Sequence, residues 1–173
     1  MKSPTFEAIL IVDNQWKMGI DNENGFCKII NFPPHNKFIQ AKITDNVVVY
    51  GFNTFAENKF QAIPNCINIV ICAQEVGTFK DCTVVHSLTE LFEEVSKYEG
   101  KTLYVLGGHR TFKSLLPFIE KVYVTFVKKD LKGNILCPPF YNIFILANRS
   151  ETKSYYKTEY EFQEYQQFFK TTK

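Results

Sequence analysis

Hydrophobic positions along this chain fall into short blocks separated by polar stretches. Phe6 to Val12 is almost wholly apolar, as are Val47-Val48-Val49-Tyr50, Ile67 to Cys72 and Leu103-Tyr104-Val105-Leu106. Runs of this length without alternation predict strands covered on both faces, as in a parallel sheet. Lys121 to Val127 predicts a further strand. Helical spacing lies between these blocks. Pro33-Pro34 suits the first turn of a helix, and Phe38, Ile39 and Ile43 follow it. Ser87-Leu88-Thr89-Glu90 is a capping box, after which Leu88, Leu91, Phe92 and Val95 make one helical face. Gly107-Gly108 joins a strand to an amphipathic segment that begins at His109. Such a turn carries no side chains and exposes N–H groups at the positive end of a helix, where a phosphate can sit. Two late runs, residues 142–147 and 156–162, read as a closing antiparallel pair. The stretch between Val12 and Phe26 is rich in Asn, Asp and Gly and shows no periodicity.

Composition narrows the possibilities. A chain of 173 residues suits one substantial core, so residues 1–173 are expected to form a single domain. An apolar content of 45%, with 17 Phe and 9 Tyr, argues for a packed globular protein. The formal charge of +2 is spread along the chain, which argues against a nucleic-acid or membrane-surface binder. There is no apolar run of about 18 residues and no leader-like start, so a cytoplasmic protein is expected. Cys27, Cys66, Cys72, Cys82 and Cys137 are odd in number and lack C-x-x-C spacing. His35, His86 and His109 have no ligand spacing either, so neither a disulfide framework nor a metal site is expected.

Several motifs together carry a resemblance. Met18-Gly19-Ile20-Asp21-Asn22, Asn31-Phe32-Pro33-Pro34, and Val48-Val49-Tyr50-Gly51-Phe52-Asn53-Thr54-Phe55 occur in that order. Ile63-Pro64-Asn65-Cys66-Ile67-Asn68, Val105-Leu106-Gly107-Gly108, and Leu115-Leu116-Pro117 with Val122-Tyr123-Val124-Thr125 continue it. In order and separation this series resembles the dihydrofolate reductase family nearly from end to end. The resemblance implies a three-layer α/β/α fold, with a central, mostly parallel, eight-stranded sheet and about four flanking helices. It implies a nicotinamide cofactor, NADPH or NADH, across Gly19, Gly51, Phe52, Thr54, Gly107, Gly108 and Arg110. It also implies a pterin-like acceptor near His35 and Thr125, with Phe38 and Cys66 on the substrate side.

Departures from the family cluster at the ligand positions. The family's catalytic carboxylate falls on His35, which cannot accept two parallel donors as a carboxylate does. The arginine that holds the folate tail falls on Cys66, which lacks charge and a planar fork. The residues that read the extra phosphate of NADPH fall on Phe52, Cys72 and Ala73, where Phe52 offers a surface for an adenine. The family's tryptophan near the pterin falls on Ile29-Ile30, and the loop between Asn22 and Ile29 is longer. Gly133-Asn134-Ile135 stands where the family has Gly-Asp-Thr. Two functions therefore follow from the sequence. One is a nicotinamide-dependent reductase of dihydrofolate or another pterin-like acceptor. The other is a catalytically inactive homologue that serves as a binding or structural scaffold. Phe168-Phe169 extends past the family's last strand, either packing back on the domain or meeting a protein partner.

Overall fold

The computed structural model describes residues 4–22, 25–28 and 30–168. The chain runs β1 (Thr5–Val12), β2 (Lys17–Asn22), β3 (Gly25–Lys28), α1 (Pro33–Ile43), β4 (Val47–Gly51), α2 (Phe52–Glu57), β5 (Ile67–Ile71) and β6 (Cys82–Val85). It continues α3 (Leu88–Val95), β7 (Thr102–Gly107), α4 (His109–Leu115), a 3-10 turn at Leu116–Phe118, and β8 (Ile119–Val127). The last strands are β9 (Ile135–Leu136), β10 (Phe144–Arg149), β11 (Lys153–Tyr155) and β12 (Thr158–Gln167).

The main sheet has the order β10-β12-β8-β1-β7-β4-β5-β6, with β11 paired to β12 at the side. Pairings from β8 through β6 are parallel, and those made by β12 are antiparallel. The expected eight-stranded, mostly parallel sheet is therefore present, and four α-helices flank it among the described residues. Strand alternation explains the unbroken apolar runs. Ala8, Leu10, Val12, Val47, Val49, Leu103 and Val105 enter one core cluster with Leu91, Val95, Phe112 and Leu115 from α3 and α4. Ile9, Val48, Tyr50, Tyr104 and Tyr123 enter another with Ile43 from α1 and Phe55 from α2. Each strand thus has two buried faces, as a helix-covered parallel sheet requires.

The helix-capping expectation at α3 is met closely. Ser87 Oγ accepts from Glu90 N–H at 3.1 Å and opens α3. Glu90 Oε2 reaches back to the N–H of His86 at 2.8 Å, one residue earlier than a standard capping box. The polar stretch after Val12 differs from its sequence reading. It contains the β2–β3 hairpin, which joins β9 in a separate three-stranded sheet. At the far end Phe168 is 60% exposed, with its N–H bonded to Ile143 O. Ile29 and Phe169 lie outside the described residues.

Candidate active site

A cleft of about 580 Å³ opens along the carboxyl ends of β7, β4, β5 and β6. Each strand hands one part of the wall to the residues that follow it: Gly108 after β7, Gly51 at the end of β4, Cys72 after β5 and His86 after β6. Open α/β sheets place ligands at this edge because strand ends and helix starts converge there. The sequence-selected Gly51, Phe52, Thr54, Gly108 and Arg110 all line this cleft.

Close packing explains Gly51, and backbone conformation explains Gly107. A Cβ on Gly51 would lie 2.8 Å from Thr111 Oγ1 and 3.9 Å from Gly108 N, so the approach between β4 and the start of α4 leaves no room for it. Gly107 has φ of +110°, a backbone state that side chains disfavour, and its peptide bond to Gly108 is cis. Thr54 lies inside α2, whose N-cap is Gly51. Thr54 Oγ1 is buried and makes no hydrogen bond among the described residues. A buried hydroxyl at a cleft wall without a partner is the kind of atom a ligand oxygen satisfies. These features fit the diphosphate of a dinucleotide: bare backbone at Gly108, an orphaned hydroxyl at Thr54 and the exposed cation Arg110. Burial, and then the neighbouring Arg110, hold His109 below the ordinary imidazole range against an opposing pull from Asp21.

Phe52 belongs to an aromatic group with Phe55, Phe60 and Phe79, at ring separations of 6.4, 5.7 and 6.2 Å. Its ring is thereby fixed while it still borders the cleft. Gly19 and Gly107 are buried strand glycines and do not appear in the cleft wall. Gly19 O instead accepts from Asn134 N–H at 3.1 Å. The Asn134 side chain then clasps the backbone of Asp21 at both ends: Oδ1 accepts from Asp21 N–H at 2.7 Å, and Nδ2 donates to Asp21 O at 2.9 Å. Asp21 itself lines the cleft, so the turn at Asn134 helps position one wall.

His35 and Thr125 come together from α1 and β8. His35 Nδ1 lies 2.8 Å from Thr125 Oγ1, and both residues are buried at 4% and 1% exposure. The ring is placed by the Pro33-Pro34 start of α1, the hydroxyl by the pairing of Thr125 with Ile11 and Phe162. Phe38 stacks on Phe162 at 4.8 Å and meets Tyr123 at 5.8 Å. Cys66 lies in a turn tied down by Asn68, whose Nδ2 donates to the carbonyls of Ile63 and Cys66 at 2.8 and 3.1 Å. The Cys66 thiol donates to Ile63 O at 3.4 Å, and burial pushes it up to about 11. It is therefore a neutral group at physiological pH. Asp21, His86, Ser87, His109 and Thr111 also line the cleft without having been singled out for it by motif. His86 carried one available signal, its place directly before the capping box.

A mostly parallel α/β sheet with a polar cleft at the carboxyl ends of its strands is an architecture that places ligands at that edge. The family model described as dihydrofolate reductase matches residues 5–167. The chain belongs to the dihydrofolate reductase family. It is 30% identical over 78 residues to the dihydrofolate reductase of Staphylococcus haemolyticus, covering 45% of this chain and 46% of that protein. It is 30% identical over 108 residues to the Bacillus subtilis (strain 168) enzyme, covering 62% of each. The aligned stretches thus span about half to two thirds of these relatives' lengths. The fold matches dihydrofolate reductase from Enterococcus faecalis, solved with NADP(H) and RAB-propyl, at a TM-score of 0.84. That match has 22% identity and covers 96% of this chain and 98% of that one.

Proposed function

We propose that this chain is a nicotinamide-dependent reductase of dihydrofolate or a related pterin-like acceptor, with His35 standing where the family has a carboxylate. The observation that carries this reading is the cleft itself, in which Gly51, Gly108, Arg110 and the orphaned Thr54 hydroxyl converge. When bound, a reduced nicotinamide supplies the hydride. Gly51 and Gly108 admit the diphosphate to the backbone, Thr54 donates a hydroxyl, and Arg110 neutralises charge. In this reading buried His35 is the proton donor, and the Thr125 hydroxyl fixes its ring orientation through Nδ1. Asn134 keeps Asp21 at the cleft rim.

Cys66 favours a second reading, the inactive scaffold. Its neutral, internally bonded thiol offers a folate tail carboxylate no charge, a loss of about 1.5–3 kcal/mol for one charge-assisted bond. Turnover assays with dihydrofolate and NADH or NADPH separate the two. The reductase reading expects cofactor oxidation that depends on the acceptor and falls at least about tenfold in Thr125→Val, which removes the oxygen facing His35. Cofactor binding without acceptor-dependent oxidation would leave the scaffold.

A further inference from the structure

β10 lies at one edge of the main sheet, paired with β12 on one side and with no strand on the other among the described residues. Successive side chains along a strand point to opposite faces. Ile145 is 50% exposed and Leu146 is 42% exposed, so beyond Phe144 both faces are open to water where the side chains are apolar. Tyr141 and Ile143, in the turn before the strand, are exposed too. Phe168 adjoins Ile143, to whose carbonyl its N–H is bonded. The interior strands are apolar under a cover of helices, whereas β10 is apolar without one.

Edge strands are ordinarily guarded by charges, prolines or bulges, because their outer backbone groups can pair with another chain. Residues 141–148 contain no charged residue and no proline. Their one guard is at Ala147, where the register with β12 shifts between Leu146 and Asn148. The opposite edge, β6, is four residues long and follows directly on Lys80-Asp81. The two edges of the sheet are therefore protected unequally.

We propose that the β10 edge docks a second copy of this chain, the two β10 strands running antiparallel about a two-fold axis near Ile145. A two-fold axis brings a strand against itself, so a charged run would oppose like charges, and this run carries none. A charged peptide strand would find no countercharge here. The antiparallel direction carries Arg149, the one charge of β10, away from its own counterpart and toward the exposed Tyr141 of the second copy, whose ring suits a cation. Arg149 keeps 57% of its side chain exposed beside Glu161, which leaves it a face to offer. The shift at Ala147 limits regular pairing to a few residues, so the association is weak, with a dissociation constant of about 10–100 µM. The proposal stands apart from the reading of the cleft.

Sedimentation velocity of the full chain from about 5 to 500 µM tests it, a range that brackets the expected constant. The wild type is expected to pass from monomer to dimer as concentration rises. Ile145→Lys, at an exposed position, is expected to weaken dimerisation at least about tenfold. Ile145→Thr keeps the β-branch and is expected to weaken it less, which guards against a Lys variant that fails to fold. Tyr156→Lys, in the turn between β11 and β12, is expected to dimerise as the wild type does. A wild type that stays monomeric throughout, including one whose edge receives a different protein, would overturn the proposal. So would a dimer that both Ile145 variants leave intact, since it would use another surface.

Discussion

At Gly51 a single added methyl would touch the start of α4, since its Cβ would stand 2.8 Å from Thr111 Oγ1. Gly51→Ala is expected to destabilise the fold by about 1–3 kcal/mol through overpacking. Thr111→Ala should recover part of that loss, because it removes the obstructing oxygen. Denaturant melts of the two single variants and the double variant give the coupling, and additive losses would show that the contact does not matter. His35 presents the second test at this scale. If its ring stands at the acceptor-binding position, His35→Asp supplies two parallel acceptors and should tighten dihydrofolate by about tenfold to a hundredfold in an equilibrium titration. Unchanged affinity would mean that the acceptor does not reach this residue. His35 was legible from motif order, and its partnership with Thr125, 90 positions away, was legible only through the family resemblance, since no local periodicity reports it. His86 was hidden for another reason: next to a capping box it reads as a helix-start residue, and only the fold brings it against Cys72.

Among the elements, β12 has its most demanding polar group at Glu161, which is 5% exposed. Burial acts to raise its carboxyl, but a hydrogen bond from Gln163 and the charges of Lys128 and Arg149 hold it below the ordinary range. Lys128 Nζ and Arg149 Nε lie 3.3 and 3.1 Å from its oxygens, so the group ties the residue that follows β8 and the end of β10 to the strand between them. A carboxylate depressed by folding adds stability above its unfolded pKa and loses it as pH falls through the folded value. Glu161→Gln is therefore expected to cost about 1–3 kcal/mol at neutral pH and to flatten the acid limb of the stability curve below about pH 4.5. Thermal melts of both proteins from acid to neutral pH test this, and parallel acid limbs would count against it. The elements also show where sequence reading stops. The long parallel strands were legible because both faces are covered and most positions are apolar. The β2–β3 hairpin was not, because it pairs only within a small separate sheet with β9, a strand of two residues.

Over the whole molecule, the single-domain expectation predicts one cooperative unfolding transition, and the cleft predicts that a cofactor raises its midpoint. A ligand at about a hundred times its dissociation constant adds about 2.7 kcal/mol. For a chain of this size that is a shift of roughly 5–10 °C, further enlarged by an acceptor bound beside it. A cooperative melt that no cofactor moves would remove the dinucleotide from the cleft.

The strand order has one more consequence, for the chain as it is being made. β1 is nearest the amino terminus, yet its neighbours in the sheet are β7 and β8, which begin at Thr102 and Ile119. By contrast β4, β5 and β6 are consecutive in sequence and adjacent in the sheet, closing within Val47–Val85. During synthesis at about 5–20 residues per second, the first strand emerges several seconds before the strands that flank it. Its apolar residues must wait without their docking surface while β4, β5 and β6 can already align. A strand buried on both faces thus waits longest for its sheet neighbours, and β1 is where a chaperone would be most useful.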